Sequence, residues 1–167
     1  MEKYIKLALS LGAKNVIPVT TEDIVFDGRT LLKCMFGCGD WGKGCTCPSR
    51  GGMPWPWEME ALLRKYKTVL IIHSTEKKVA QEAAFAVERE AYLDGDSLSF
   101  SMADCALCEK CAGQDGEECR NKRQSRPSFH SVGVDVFSTV KKFGLPLEPL
   151  RDKDEPQNWY SAVWLNI

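Results

Sequence analysis

The chain lacks a long apolar run, an excess of either charge and a recognisable export signal, and each absence excludes something. Its longest clean apolar stretch, Val69 to Ile72, is far too short to span a bilayer. Lys plus Arg is 22 and Asp plus Glu is 23, a formal charge of −1. A protein built mainly to hold nucleic acid or an anionic membrane would carry a basic surplus, so neither partner is expected. The N-terminus, MEKYIKLALSLGAKN, is charged and amphipathic instead of carrying the continuous apolar core of a signal peptide. A soluble, cytoplasmic protein is the expectation. No low-complexity linker or internal repeat divides the sequence. Its 167 residues therefore read as a single domain over 1–167, long enough to bury a core. There is no Ser-His-Asp arrangement, no phosphate-cradling glycine loop leading into a helix, and no aromatic–basic stripe for nucleic acid.

What the chain does have is cysteine. All eight fall in two short segments, Cys34, Cys38, Cys45 and Cys47 in the first and Cys105, Cys108, Cys111 and Cys119 in the second. A secreted disulfide scaffold would usually be smaller and carry an export signal. Tight local groups in a reducing cytosol read instead as metal-binding loops.

The second segment is the stronger signal. In Cys105-x2-Cys108-x2-Cys111-x7-Cys119 the triple can point inward around one cubane on a tightly turning loop, and Cys119 is near enough to complete it. Ferredoxin-type iron–sulfur sites use such a triple, although their distal cysteine often serves a different cluster. Zinc is the rival, since four thiolates in a tetrahedron suffice, but zinc sites usually draw cysteines as two separated pairs. Arg120, Lys122, Arg123 and Arg126 follow directly. They read as a solvated basic face, or as cations that tune a cluster or dock an acidic redox partner protein.

The first segment, Cys34-x3-Cys38-x6-Cys45-x-Cys47-Pro48, is less standard. Cys45 and Cys47 would share a face if extended, but Gly44 and Pro48 allow a bend in which only one of them reaches the metal. The segment thus offers three ligands or four. With three, one iron would keep an open coordination position for substrate, as a Lewis acid does. The opening Cys-x3-Cys also fits a radical S-adenosylmethionine motif, but Trp41 stands where its third cysteine belongs, and the required barrel needs more chain.

These motifs together resemble an uncharacterised cysteine-rich family known only as predicted metal-binding proteins. The resemblance runs from about Ile24 to Gly144. It rests on Lys33-Cys34, Cys38, Cys47-Pro48, the Cys105, Cys108 and Cys111 triple, Cys119-Arg120, Arg126-Pro127-Ser128 and Gly133-Val134-Asp135-Val136. It implies metal binding and names no reaction. An aromatic residue is commonly expected in that pattern where this chain has Cys45, which leaves Cys34, Cys38 and Cys47 as preferred ligands and Cys45 as a fourth in reserve.

Periodicity fills in the scaffold. Residues 2–11 read as a helix stopped by Gly12, 15–20 and 24–26 as short strands, and the Gly/Pro-crowded stretch to Pro56 as loop. Residues 57–66 read as a helix, 68–73 as a strand buried on both faces, and 75–93 as the clearest helix. That helix carries Val79, Ala83, Ala86, Val87 and Ala91 as one apolar stripe, with Glu88, Arg89 and Glu90 expected only to solvate its outer face. Residues 98–102, 134–143 and 159–167 read as strand, helix and strand. The fold class is α/β, with a small mixed sheet, a parallel βαβ core and two cysteine-rich loops near one end. His73 and His130 read as structural, and Trp41, Trp55 and Trp57 as shields for a cluster or as stacking surfaces.

Three functions follow. The first is a redox protein with two [4Fe–4S] clusters that passes electrons to or within a partner. The second is an enzyme with an open iron site at Cys34, Cys38 and Cys47, and the third is a zinc-stapled interaction module.

Overall fold

Alternation along the apolar strand decides the architecture. In a strand, successive side chains point to opposite faces. In β2 (Thr68–Ser74), Val69 and Ile71 enter one core while Leu70 and Ile72 enter another. Helices must therefore cover both faces. The computed structural model, which describes residues 1–152 and 154–167, places α1 (Glu2–Ser10) and α4 (Lys77–Leu93) on the Leu70 face. The helix α3 (Pro56–Leu63) packs Met59 and Leu63 on the Val69 face, where Val140 of α5 (Val136–Lys141) joins them.

The remaining strands are β1 (Asn15–Thr20), β3 (Phe100–Met102) and β4 (Trp159–Leu165), in spatial order β1-β2-β4-β3. Every neighbouring pair is antiparallel. The α/β class holds, but the small mixed sheet expected from the sequence is corrected to an antiparallel one. The physical reason is the C-terminal strand. Because β2 and β3 each run antiparallel to β4, they run parallel to one another, as the βαβ pattern requires, yet β4 lies between them and takes their hydrogen bonds. Its alternation matches the position: Tyr160, Ala162 and Trp164 serve one core, Val163 and Leu165 the other.

Other differences are local. The apolar face of α4 is Ala80, Ala83, Ala84, Val87 and Ala91, rotated slightly from the expected stripe. The strand expected at 24–26 is reduced to one bridge, Phe26 to Val134. The stretch read as loop opens with a helix, α2 (Thr30–Gly37).

Helix α4 also fixes the second cysteine segment. Gln81, buried in the fold, accepts the backbone N–H of Ala106 at 2.6 Å. Two helical turns further, about 10 Å along the axis, Glu88 accepts the N–H of Ser101 at 2.6 Å and pairs with Arg126. Glu88 is therefore no solvating residue. With side chains only 13% and 15% exposed, the Glu88–Arg126 pair clamps the end of the cysteine loop to the base of β3. Ala103 adds a backbone hydrogen bond to Pro127 at 3.0 Å.

Candidate metal centre

The cysteine loop leaves β3 at its C-terminal end, Met102, and the first segment reaches the same end from α2. There both segments line one cavity of about 230 Å³ whose walls include all eight cysteines. All eight are free thiols, and Cys38, Cys105 and Cys108 are exposed while the others are half-buried. Among the described residues, no three histidine, cysteine or carboxylate side chains are gathered as a ready-made site for one metal ion.

Local structure explains how the first segment contributes. Cys34 lies in α2, and Cys38 is its C-cap. A spacing of four residues puts neighbours on one helix face, so the Cys34-x3-Cys38 motif is a helical motif and not a loop one. The Cys34 thiol is pushed up to about 11, first by burial and then by the negative charge of Cys38, Cys47 and Asp104 beside it. Cys34, Cys38, Cys47 and Asp104 all line the cavity. Burial raises the Asp104 carboxyl above the ordinary range, offset in part by Lys77 and His130.

Cys45 goes elsewhere. A turn closed by the Cys47 N–H on the Gly44 carbonyl at 3.1 Å separates it from Cys47, whose sulfur meets the Ser49 hydroxyl at 2.9 Å. The backbone N–H of Cys45 instead donates to Cys111 Sγ at 3.5 Å. Burial raises the Cys45 thiol, and so does its hydrogen bond to Cys111, with Cys119 also close. Cys111 moves the opposite way. Burial opposes its ionisation, but hydrogen bonds from the backbone of Cys45 and Gly113, the Cys45 thiol and the charge of Arg50 outweigh it and lower its pKa. Of the two, Cys111 is the more readily ionised thiol.

This approach depends on Gly113. A Cβ there would lie 2.2 Å from the carbonyl oxygen of Lys43 and 3.0 Å from both N and Sγ of Cys45. Without a side chain, the second segment's backbone can sit directly against the first. Asn121 organises the rest. Its side-chain amide donates to Cys108 Sγ at 3.1 Å and its backbone N–H to Cys119 Sγ at 3.4 Å.

The basic run after Cys119 is largely neutralised. Arg120 pairs with Glu117 at 3.1 Å, Lys122 pairs with Glu118, and Arg126 belongs to the Glu88 clamp. His73 is held between Asn15 at 2.9 Å and Asn158 at 2.7 Å, far from any thiol in role. Both of its ring nitrogens are thus taken up by neighbouring amides, a structural arrangement. Burial lowers the pKa of His130 from its ordinary value, opposed by the charges of Asp104 and Asp135. Trp41 lines the cavity, whereas Trp55 and Trp57 stack on each other at 5.6 Å and remain 47% and 58% exposed.

The donor chemistry fits a metal centre. Soft thiolates select zinc, copper(I) or iron–sulfur clusters over hard cations. The sequence model of a family described as "Predicted metal-binding protein (DUF2284)" matches residues 17–165. No curated protein and no solved structure matches the chain.

Proposed function

The chain belongs to this predicted metal-binding protein family, and from that premise we propose that it is an iron–sulfur protein holding two [4Fe–4S] clusters for electron transfer to a partner protein. The observation that carries the reading is the single cavity walled by all eight cysteines. One zinc ion needs four donors about 2.3 Å from one point. A cubane binds each thiolate through a different iron, so its ligands stand further apart. Eight thiols spread around the walls of one cavity suit the larger centre.

Such clusters, when bound, supply one-electron transfer at a potential set by charge, burial and hydrogen bonds to sulfur. The chain has the groups for that tuning. Asn121 directs two N–H donors at Cys108 and Cys119, and Cys45 directs its backbone N–H at Cys111. Each donor would stabilise the more negative, reduced state and raise the potential. Trp41 on the cavity wall limits water. The exposure of Cys38, Cys105 and Cys108 leaves one side of the site within reach of a docked redox protein. A reducing compartment such as the cytoplasm suits thiols of this kind.

The test is paramagnetic resonance on protein purified without oxygen, before and after reduction at low potential. Signals that appear reversibly on one-electron reduction are expected. Protein with no reducible signal would count against the reading. Aerobic preparations do not serve, because oxidation of the thiols empties such sites.

A further inference from the structure

We propose that the two cysteine segments exchange one ligand each: Cys45 joins Cys108, Cys111 and Cys119 around one centre, and Cys105 joins Cys34, Cys38 and Cys47 around the other. This deepens the reading of the cavity as a thiolate metal site and rests on it.

Sequence proximity favours one centre per segment. The geometry divides the cysteines differently. Cys45 N–H reaches Cys111 Sγ at 3.5 Å across 66 positions of chain. Gly113, two residues past Cys111, lets the backbone around Lys43 and Cys45 lie against it with no room for a methyl group. Asn121 then gathers Cys108 and Cys119 through two donors on one residue. These four form one group with Cys45 as its member from the first segment.

Among the described residues, no hydrogen bond joins the other three first-segment cysteines to it. Cys34 lies in α2, Cys38 is its C-cap, and both line the cavity with Cys47, whose sulfur meets Ser49. Asp104, at the start of the second segment, lines the same cavity. Cys105 follows Asp104 by one residue, about 3.8 Å along the backbone, and lines it too. With Cys108, Cys111 and Cys119 grouped around Cys45 and Asn121, it is the second-segment cysteine left to complete that set.

The exchange has a consequence that separate centres lack. Each centre would bridge both segments, so loading either one locks α2 and its loop onto the loop that follows β3. Neither segment would hold a complete four-thiolate centre alone.

Two measurements test the partition. In the first, full-length protein stripped of metal is oxidised with diamide, and linked peptides are mapped by mass spectrometry. Two thiols lose two protons and two electrons to form each disulfide, and the diamide takes them up to become its hydrazine. A Cys45–Cys111 link between segments is expected. A Cys45–Cys47 link in its place would overturn the exchange. In the second, Cys45→Ser, Cys108→Ser, Cys38→Ser and Cys105→Ser are compared as oxygen-free, iron-loaded proteins by paramagnetic resonance. Cys45→Ser and Cys108→Ser should alter one reduced-state signal, and Cys38→Ser and Cys105→Ser the other. If Cys45→Ser instead behaved as Cys38→Ser does, the proposal would fall. A wild-type protein without iron would overturn the cluster reading alone, and the disulfide map, which needs no variant and no metal, would still judge the exchange.

Discussion

Replacing Gly113 with alanine would set a methyl carbon 2.2 Å from the carbonyl oxygen of Lys43 and 3.0 Å from Cys45 Sγ. Carbon and oxygen in ordinary contact lie more than 3 Å apart, so one backbone must retreat by about 1 Å. Neither contacting group is the free end of a flexible chain, since one is a carbonyl and the other a cysteine tied to Cys111. Overpacking of this sort typically costs about 1–3 kcal/mol. For a chain of this length that corresponds to a Tm lower by about 2–12 °C. The functional cost is larger in proportion, because a binding constellation tolerates only about 0.5 Å of displacement. Gly113→Ala should therefore lose the centre that uses Cys45 and Cys111 while retaining the one at Cys34, Cys38 and Cys47. The assay pairs thermal denaturation of metal-free protein with metal content of loaded protein. Gly39→Ala is the control, since nothing lies within 4 Å of a Cβ at that position. A Gly113→Ala protein with wild-type Tm and full metal content would refute the close apposition of the two segments.

Other perturbations separate scaffold from site. Truncating Glu88 to alanine strands Arg126 in a pair whose side chains are 13% and 15% exposed, and removing one partner of a buried pair costs about 3–5 kcal/mol. Urea denaturation would show that loss, and a change under 1 kcal/mol would contradict the clamp. Gln81→Leu removes the acceptor for Ala106 N–H and should cost about 1–3 kcal/mol, with faster amide exchange at Ala106. The Cys34 thiol rises from 9.0 to about 11 in the fold. The metal-free native state then holds a proton that the unfolded chain gives up first, so its stability is intact below 9.0 and declines until about 11. Cys34→Ser should flatten that part of the pH profile of Tm, and an unchanged slope would contradict the assignment. Because the same thiol must lose its proton to bind metal, loading should strengthen as pH rises towards that range.

Much of the scaffold could be read from local pattern. TVLIIH reads as a doubly buried strand and is one, and the long helix after it differs by two residues at its start. These elements announce themselves because burial repeats with a fixed period. The insertion of β4 between β2 and β3 has no such signal. It depends on pairing Ser74 with Trp159 across a long stretch of chain, and no local periodicity encodes which edge a terminal strand will choose. Glu88 failed for the same reason. In sequence it sits in a charged triplet on a helix, and only its partner 38 positions away reveals a clamp. Helix α2 was hidden by the glycines and prolines just after it, although Cys34-x3-Cys38 already has helical spacing.

The site shows the same division. Spacing identified which residues to watch, and the cavity brings all eight together. It did not reveal where Cys45 goes. Cys45 and Cys47 stand two positions apart, and the bend over 44–47 sets the backbone of one against Cys111 and the sulfur of the other against Ser49. The decisive feature for that bend, the missing side chain at Gly113, lies in the other segment.

The most direct measurement is the iron, acid-labile sulfide and zinc content of the full-length protein isolated without oxygen. Two cubanes require about eight irons and eight sulfides per chain. Colourless protein holding about two zinc ions and no sulfide would contradict the account.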